Sequence, residues 1–246
     1  MIKKSFKVKL MLSIILISVF LVSGCTSKVI RQEEGGDTIV GSGKVIREKR
    51  DIGSFHGVKP MLQANLYITQ DGTNTLEIEA YENLFEIIET SVVNGILYVK
   101  TTRRIDTSFP KGFFKKPINI YVSMDKITEL EMAGSGKLIG RTEINSDSLR
   151  LTNSGSGKID LNVKATQLSS TLSGSGVINL KGTATGHDLT LSGSGRIKAY
   201  DLTTEKTVAL ISGSGRVDVN VSKELSSKVS GSGKIRYKGD PKIISQ

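Results

Sequence analysis

Tryptophan is absent from this chain of 246 residues, aromatics make up 5%, and there are two histidines and one cysteine. A core must therefore be built chiefly from Ile, Leu and Val, which favours repetitive β structure over a helical bundle. A lone cysteine cannot close an internal disulfide, so packing alone holds the fold. His56 and His187 stand far apart, and no His, Cys or carboxylate group sits at metal-ligand spacing. The sequence thus calls for no metal and no cofactor. No helical pattern follows any of the glycine-rich stretches, which argues against a phosphate loop at a helix N-terminus. Long apolar runs are missing too: Leu10 to Val22 is almost unbroken but spans only 13 residues, short for crossing a bilayer.

That run has the form of a signal-peptide core, preceded by Lys3, Lys4, Lys7 and Lys9. It ends in Leu21-Val22-Ser23-Gly24-Cys25, which resembles the lipobox of bacterial lipoproteins. The resemblance implies acylation of Cys25 and cleavage just before it, although a chance cysteine near a cleavage site is the bland alternative. Residues 1–24 then form the signal peptide, and polar residues 25–37 a lipid-anchored tether. The expected location is the cell envelope on its extracytoplasmic side, facing the periplasm from the outer membrane or on the cell surface. Formal charge is +10 for the whole chain and +6 once the four leader lysines are removed. At such a location nucleic acid is not an expected partner. Anionic lipid, acidic glycan or another envelope component is, and simple solubility is the competing reading.

The second half is dominated by Ser-Gly-Ser-Gly or a near match, with first glycines at 134, 155, 174, 193, 213 and 231. The steps of 21, 19, 19, 20 and 18 residues are too long for hairpins and suit one coil of a solenoid. Counted from each first glycine, even positions carry Leu138, Ile159, Ile178, Ile197, Val217 and Ile235, so that parity is assigned to the core. Odd positions face outward. They include Ser156, Ser175, Ser194 and Ser214, and a column of Lys137, Lys158, Val177, Arg196, Arg216 and Lys234, five of six basic. Residues 128–240 are therefore read as β-solenoid repeats of about 20 residues.

Residues 38–127 read as a strand-rich N-terminal unit. Ala64-Leu66-Ile68 and Leu76-Ile78-Ala80 alternate about Asp71-Gly72, a hairpin pattern. Asn94-Gly95 predicts a type I′ turn into Ile96–Val99, 118–122 is a further strand, and 82–92 fits either strand or short helix. The fold class expected is all-β: a right-handed parallel β-helix-like solenoid with a strand-rich N-terminal unit.

These segments together resemble the auto-transporter adhesin head (GIN) domain family of bacterial envelope proteins. The residues that carry the resemblance are Gly41-Ser42-Gly43, Asp51–Val58, Ile68–Gly72, Asn94–Val99 and the serial Ser-Gly-Ser-Gly-x-Ile units. It implies a β-helical domain on the envelope and brings no site residues. Candidate ligand-binding residues are the outward serines and the basic column. Serine also suits tight turns structurally, and the charges could equally guard the rod against aggregation. A mixed basic and aromatic loop, Arg103 to Lys116, reads as a sugar- or membrane-contacting segment or as an end cap. The outward acids Asp160 and Asp218 are three coils apart, too far for a catalytic carboxylate pair. The expected function is a non-catalytic adhesion or glycan-binding module, with an envelope scaffold as the alternative and a polysaccharide-acting enzyme less favoured.

Overall fold

Each twenty-residue repeat forms one coil of a parallel β-solenoid. The protein is represented by a computed structural model, which describes residues 38–106 and 116–245. Ten short strands come first: β1 (Thr38–Ile39), β2 (Val45–Arg50), β3 (Gly57–Pro60), β4 (Ala64–Gln70), β5 (Thr75–Tyr81), β6 (Ile88–Val93), β7 (Ile96–Thr101), β8 (Arg104–Ile105), β9 (Ile118–Met124) and β10 (Glu129–Met132). Five long strands follow, β11 (Lys137–Asn153), β12 (Lys158–Gly174), β13 (Val177–Gly193), β14 (Arg196–Gly213) and β15 (Arg216–Ser230). The last coil is made by β16 (Lys234–Lys238) and β17 (Lys242–Ser245).

Coil stacks on coil in parallel, with Leu138, Ile159, Ile178, Ile197, Val217 and Ile235 in one register column. A second column runs Asn153, Leu172, Leu191, Ile211, Val229. The first five members of the first column and first four of the second are buried, each Leu or Ile contributing about 1.5–3 kcal/mol. Val229 and Tyr237 were expected inside but are 40% and 49% exposed, because no strand among the described residues pairs over them. Asn153 is satisfied at the neighbouring corner: its Nδ2 donates to the Gly157 carbonyl at 2.8 Å and its Oδ1 accepts from the Gly155 N–H at 3.2 Å.

The Ser-Gly-Ser-Gly corner explains its glycines. At Gly213, φ is +114° and an added Cβ would lie 2.6 Å from the carbonyl oxygen of Gly193, one coil below. At Gly215 it would meet the Leu191 side chain at 2.5 Å. The first glycine therefore serves close backbone stacking in a left-handed conformation, and the second makes room for a core side chain of the preceding coil. Corner carbonyls stay paired between coils, as in Gly195 N–H to Gly174 O at 2.9 Å.

A second corner breaks the alternation. Residues 147, 166, 185 and 205 are skipped in the ladder, and inward parity shifts from Ile144 and Val163 to Leu149 and Leu168 across it. Each coil passes over one residue at the same place, so the pairing register is kept while every following side chain in the coil turns to the other face.

The N-terminal strands extend the same sheet. On one side β10, β3, β7 and β6 continue the stack, and on the other β4 pairs with β11 and β9. The expected hairpin of 64–68 with 76–80 does not form. β9 lies between the two, parallel to β4 and antiparallel to β5: both segments keep their alternation, but the long-range partner outcompetes the local turn. Asn94-Gly95 does close a hairpin of β6 with β7, at φ +51° and +74°. The ambiguous segment resolves into one 3-10 turn, Glu82–Leu84, followed by β6. Among the described residues no helix is long and apolar enough to cross a membrane.

Candidate functional site: two longitudinal surfaces

The basic column is continuous in space. Register places Lys137 beside Lys158, then Val177, Arg196, Arg216 and Lys234, neighbours being about 4.8 Å apart. Arg216 is half-buried and the other four cations are exposed. Only Lys158 has an ion-pair partner among the described residues, Asp160 at 2.8 Å. Lys137, Arg196, Arg216 and Lys234 make no ion pair with a described residue, although Lys137 also attracts the Asp160 carboxylate through space, and like charges on adjacent strands carry a cost.

The next column outward balances itself. It runs Ile139, Asp160, Asn179, Lys198, Asp218, Arg236. Burial alone would raise the Asp160 carboxyl, but hydrogen bonds from Lys158 and Asn179 hold it below the usual carboxylate value. Asp218, expected outward, is only 5% exposed and accepts from Arg236 Nε at 2.7 Å. It is folded into an ion pair because the Arg236 chain lies across it. Towards the N-terminus the same face carries Tyr67 and Tyr121, stacked at 5.0 Å. The Arg141 guanidinium is 4.9 Å from each ring, and Arg47 lies 3.9 Å over Tyr121.

Beside the basic column runs the corner line of Ser156, Ser175, Ser194 and Ser214, all exposed. None of these hydroxyls makes a side-chain hydrogen bond to another described residue. The turn-stabilising role open to serine is thus not exercised by its side chain here, and four uncommitted hydroxyls flank the cations.

Other sequence-derived candidates are not assembled. His56 Nδ1 lies 2.7 Å from Thr128 Oγ1 at the N-terminal end, whereas His187 is buried inside the coil with Nε2 3.0 Å from Ser170 Oγ. Cys25 lies outside the described residues, as do Phe109, Lys111, Phe113, Phe114 and Lys115 of the basic-aromatic loop.

Sequence reasoning missed a groove along the second corner. It has a volume of about 970 Å³ and runs from Asn145–Ser148 past Lys164–Thr166, Thr183–Thr185 and Thr203–Glu205 to Ser222, with Lys126–Thr128 at its N-terminal end. Its signal was present in the sequence: adjacent outward residues such as Asp147-Ser148 and Thr185-Gly186 interrupt the period of two once per coil.

Long surfaces that repeat once per coil define a solenoid repeat protein. The chain belongs to the family described as "Putative auto-transporter adhesin, head GIN domain", whose model matches residues 54–241. It is similar to a solved structure from Bacteroides fragilis titled a "putative adhesin", at 27% identity and TM-score 0.76, covering 84% of this chain and 94% of that one. A "Putative lipid binding protein" from Parabacteroides distasonis is 26% identical at TM-score 0.68, with 85% and 95% covered. A "putative adhesin" from Parabacteroides merdae, 23% identical at TM-score 0.64 with 86% and 95% covered, shares the fold. No curated relative matches.

Proposed function

We propose that this chain is a lipid-anchored, non-catalytic binding module of the cell envelope that holds an acidic polymer along its basic face. The observation that carries this reading is the file of Lys137, Arg196, Arg216 and Lys234, none of them in an ion pair among the described residues, beside serine hydroxyls that make no side-chain hydrogen bond there. Like charges kept at coil spacing cost stability, and a polyanion laid along them offsets that cost. Hydroxyls that donate and accept next to cations match the chemistry of an acidic polysaccharide. The adhesin names of the family and of its 27%-identical relative support the surface role. Cys25, by the lipobox resemblance, supplies the membrane attachment. The edge strands β16 and β17 carry Lys234, Arg236, Lys238 and Lys242, charges that discourage strand addition and so weigh against sheet-edge pairing as the means by which the alternative, an envelope scaffold, would assemble.

The test is binding to polygalacturonate at rising salt, for the parent protein and for Lys137→Gln/Arg196→Gln/Arg216→Gln/Lys234→Gln, which keeps the Lys158–Asp160 ion pair. The expected result is salt-sensitive binding that the variant loses. Anionic vesicles serve as the second probe, because one relative is named for lipid binding; vesicle binding without polymer binding would replace glycan by membrane surface. Unchanged, salt-insensitive polymer binding in the variant would refute the proposal.

A further inference from the structure

We infer that the groove at the second corner is a separate site for an uncharged, extended polysaccharide chain, lying parallel to the solenoid axis with one sugar per coil. It is built from three register files. Ser146, Ala165, Ala184 and Thr204 form one file, less exposed than its flanks, and make the floor. One wall is Asn145, Lys164, Thr183 and Thr203, again in register. The other is the unpaired corner file Asp147, Thr166, Thr185 and Glu205. Small floor residues keep the trough open, while the walls project polar side chains at each step.

The chemistry of the walls selects the ligand. Thr166, Thr183 and Thr185 are exposed, and their hydroxyls make no hydrogen bond to another described residue. A hydroxyl both donates and accepts, as the hydroxyls of a sugar require, and the Ala165 and Ala184 methyls offer an apolar strip for the ring face. Charge points away from a polyanion: the lining holds Lys126 and Lys164 against Asp147 and Glu205, and Glu205 is further paired with Lys223 at 2.7 Å. Counted with Lys223, the groove carries one net positive charge, against the five cations of the basic column.

The period selects among neutral polymers. Coils repeat every ~4.8 Å, whereas an extended peptide advances ~3.3 Å per residue, so peptide side chains return to register only about every third residue. A pyranose unit in an extended chain advances by close to one coil and can repeat its contacts at every step. Each contact is shallow, so affinity accumulates with the number of sugars and levels off once the four walled coils and the Ser222 step are filled.

The experiment uses the full chain in detergent, titrated with neutral β-1,4-linked glucose and N-acetylglucosamine oligomers of two to eight units and followed by calorimetry or ligand NMR. Affinity should rise by at least tenfold from the dimer to about the pentamer, then level off, with little dependence on salt. Thr185→Arg, an exposed wall substitution, should weaken pentamer binding tenfold or more, and Thr183→Val/Thr185→Val should weaken it with the fold unperturbed. The fourfold Gln variant of the basic face should bind the pentamer as the parent does, which separates this site from the acidic-polymer site. Absence of binding at millimolar oligomer, affinity independent of length, or equal binding by Thr185→Arg would overturn the inference. Loss of pentamer binding in the fourfold Gln variant would overturn it as well.

Discussion

Below pH 6.5 the buried His187 becomes a liability. It is 1% exposed and burial pushes its pKa down from 6.5 to about 4, because a cation there would lose its water. The depressed value favours the folded state above pH 6.5, and that stability drains away as the pH falls from 6.5 to about 4. A shift of this size amounts to about 3 kcal/mol, a large part of a domain's net stability. Carboxylates titrate over an overlapping range, so the effect must be isolated by substitution. Register neighbours of His187 are Leu168 and Thr207, and Leu149 and Leu225 occupy the same column, so leucine fits. His187→Leu alone leaves the buried Ser170 hydroxyl without its partner, a cost of about 1–3 kcal/mol. Ser170→Ala/His187→Leu removes both polar groups, and Ser170 already lies between Leu151 and Leu189 in its column. The double variant should match or exceed the parent at pH 7.5, and its advantage should grow by about 3 kcal/mol by pH 4. Urea unfolding followed by far-UV circular dichroism at pH 7.5, 6, 5 and 4 measures this. A difference between parent and double variant that stays flat across that range would refute the reasoning.

Other consequences separate architecture from binding. Gly213→Ala, strained by φ +114° and by the Gly193 carbonyl one coil below, should cost roughly 1–3 kcal/mol, whereas the adjacent exposed Ser214→Ala should stay within about 0.5 kcal/mol; denaturant midpoints compare them. Leu191→Ala empties a site that is fully buried between Leu172 and Ile211 and should lose about 2–5 kcal/mol, read in the same unfolding assay. The fourfold Gln variant of the basic face should be as stable as the parent or more so at low salt, by a few tenths of a kcal/mol per relieved pair, with the gap closing as salt is raised.

Much of the solenoid could be read directly because its determinants are local and repeat. The parity of Leu138, Ile159, Ile178, Ile197 and Val217, the outward serines and the basic column all follow from counting in twos from a glycine, and each occupies the face assigned to it. Parity fails where the chain ends or slips. Val229 and Tyr237 obey the pattern yet no strand among the described residues pairs over them, and the step across residues 147, 166, 185 and 205 reverses the faces. The groove arises at that slip, so a count that stops before it cannot find the groove. β9 inserts between β4 and β5 because strand partners are chosen by the whole sheet, and no turn signal near Asp71-Gly72 encodes a partner some forty residues away.

By itself, then, the sequence determined the coil length, the residues that must be glycine, the apolar stripes and the identity of the exposed cations. These are properties of single repeats, set by chirality and by the period of a strand. Tertiary structure decided which outward residues become neighbours: four cations left out of any ion pair among the described residues, Asp218 drawn under Arg236, and Thr and Ala brought from successive coils into one trough. Those are relations between repeats, fixed only when the coils stack in register.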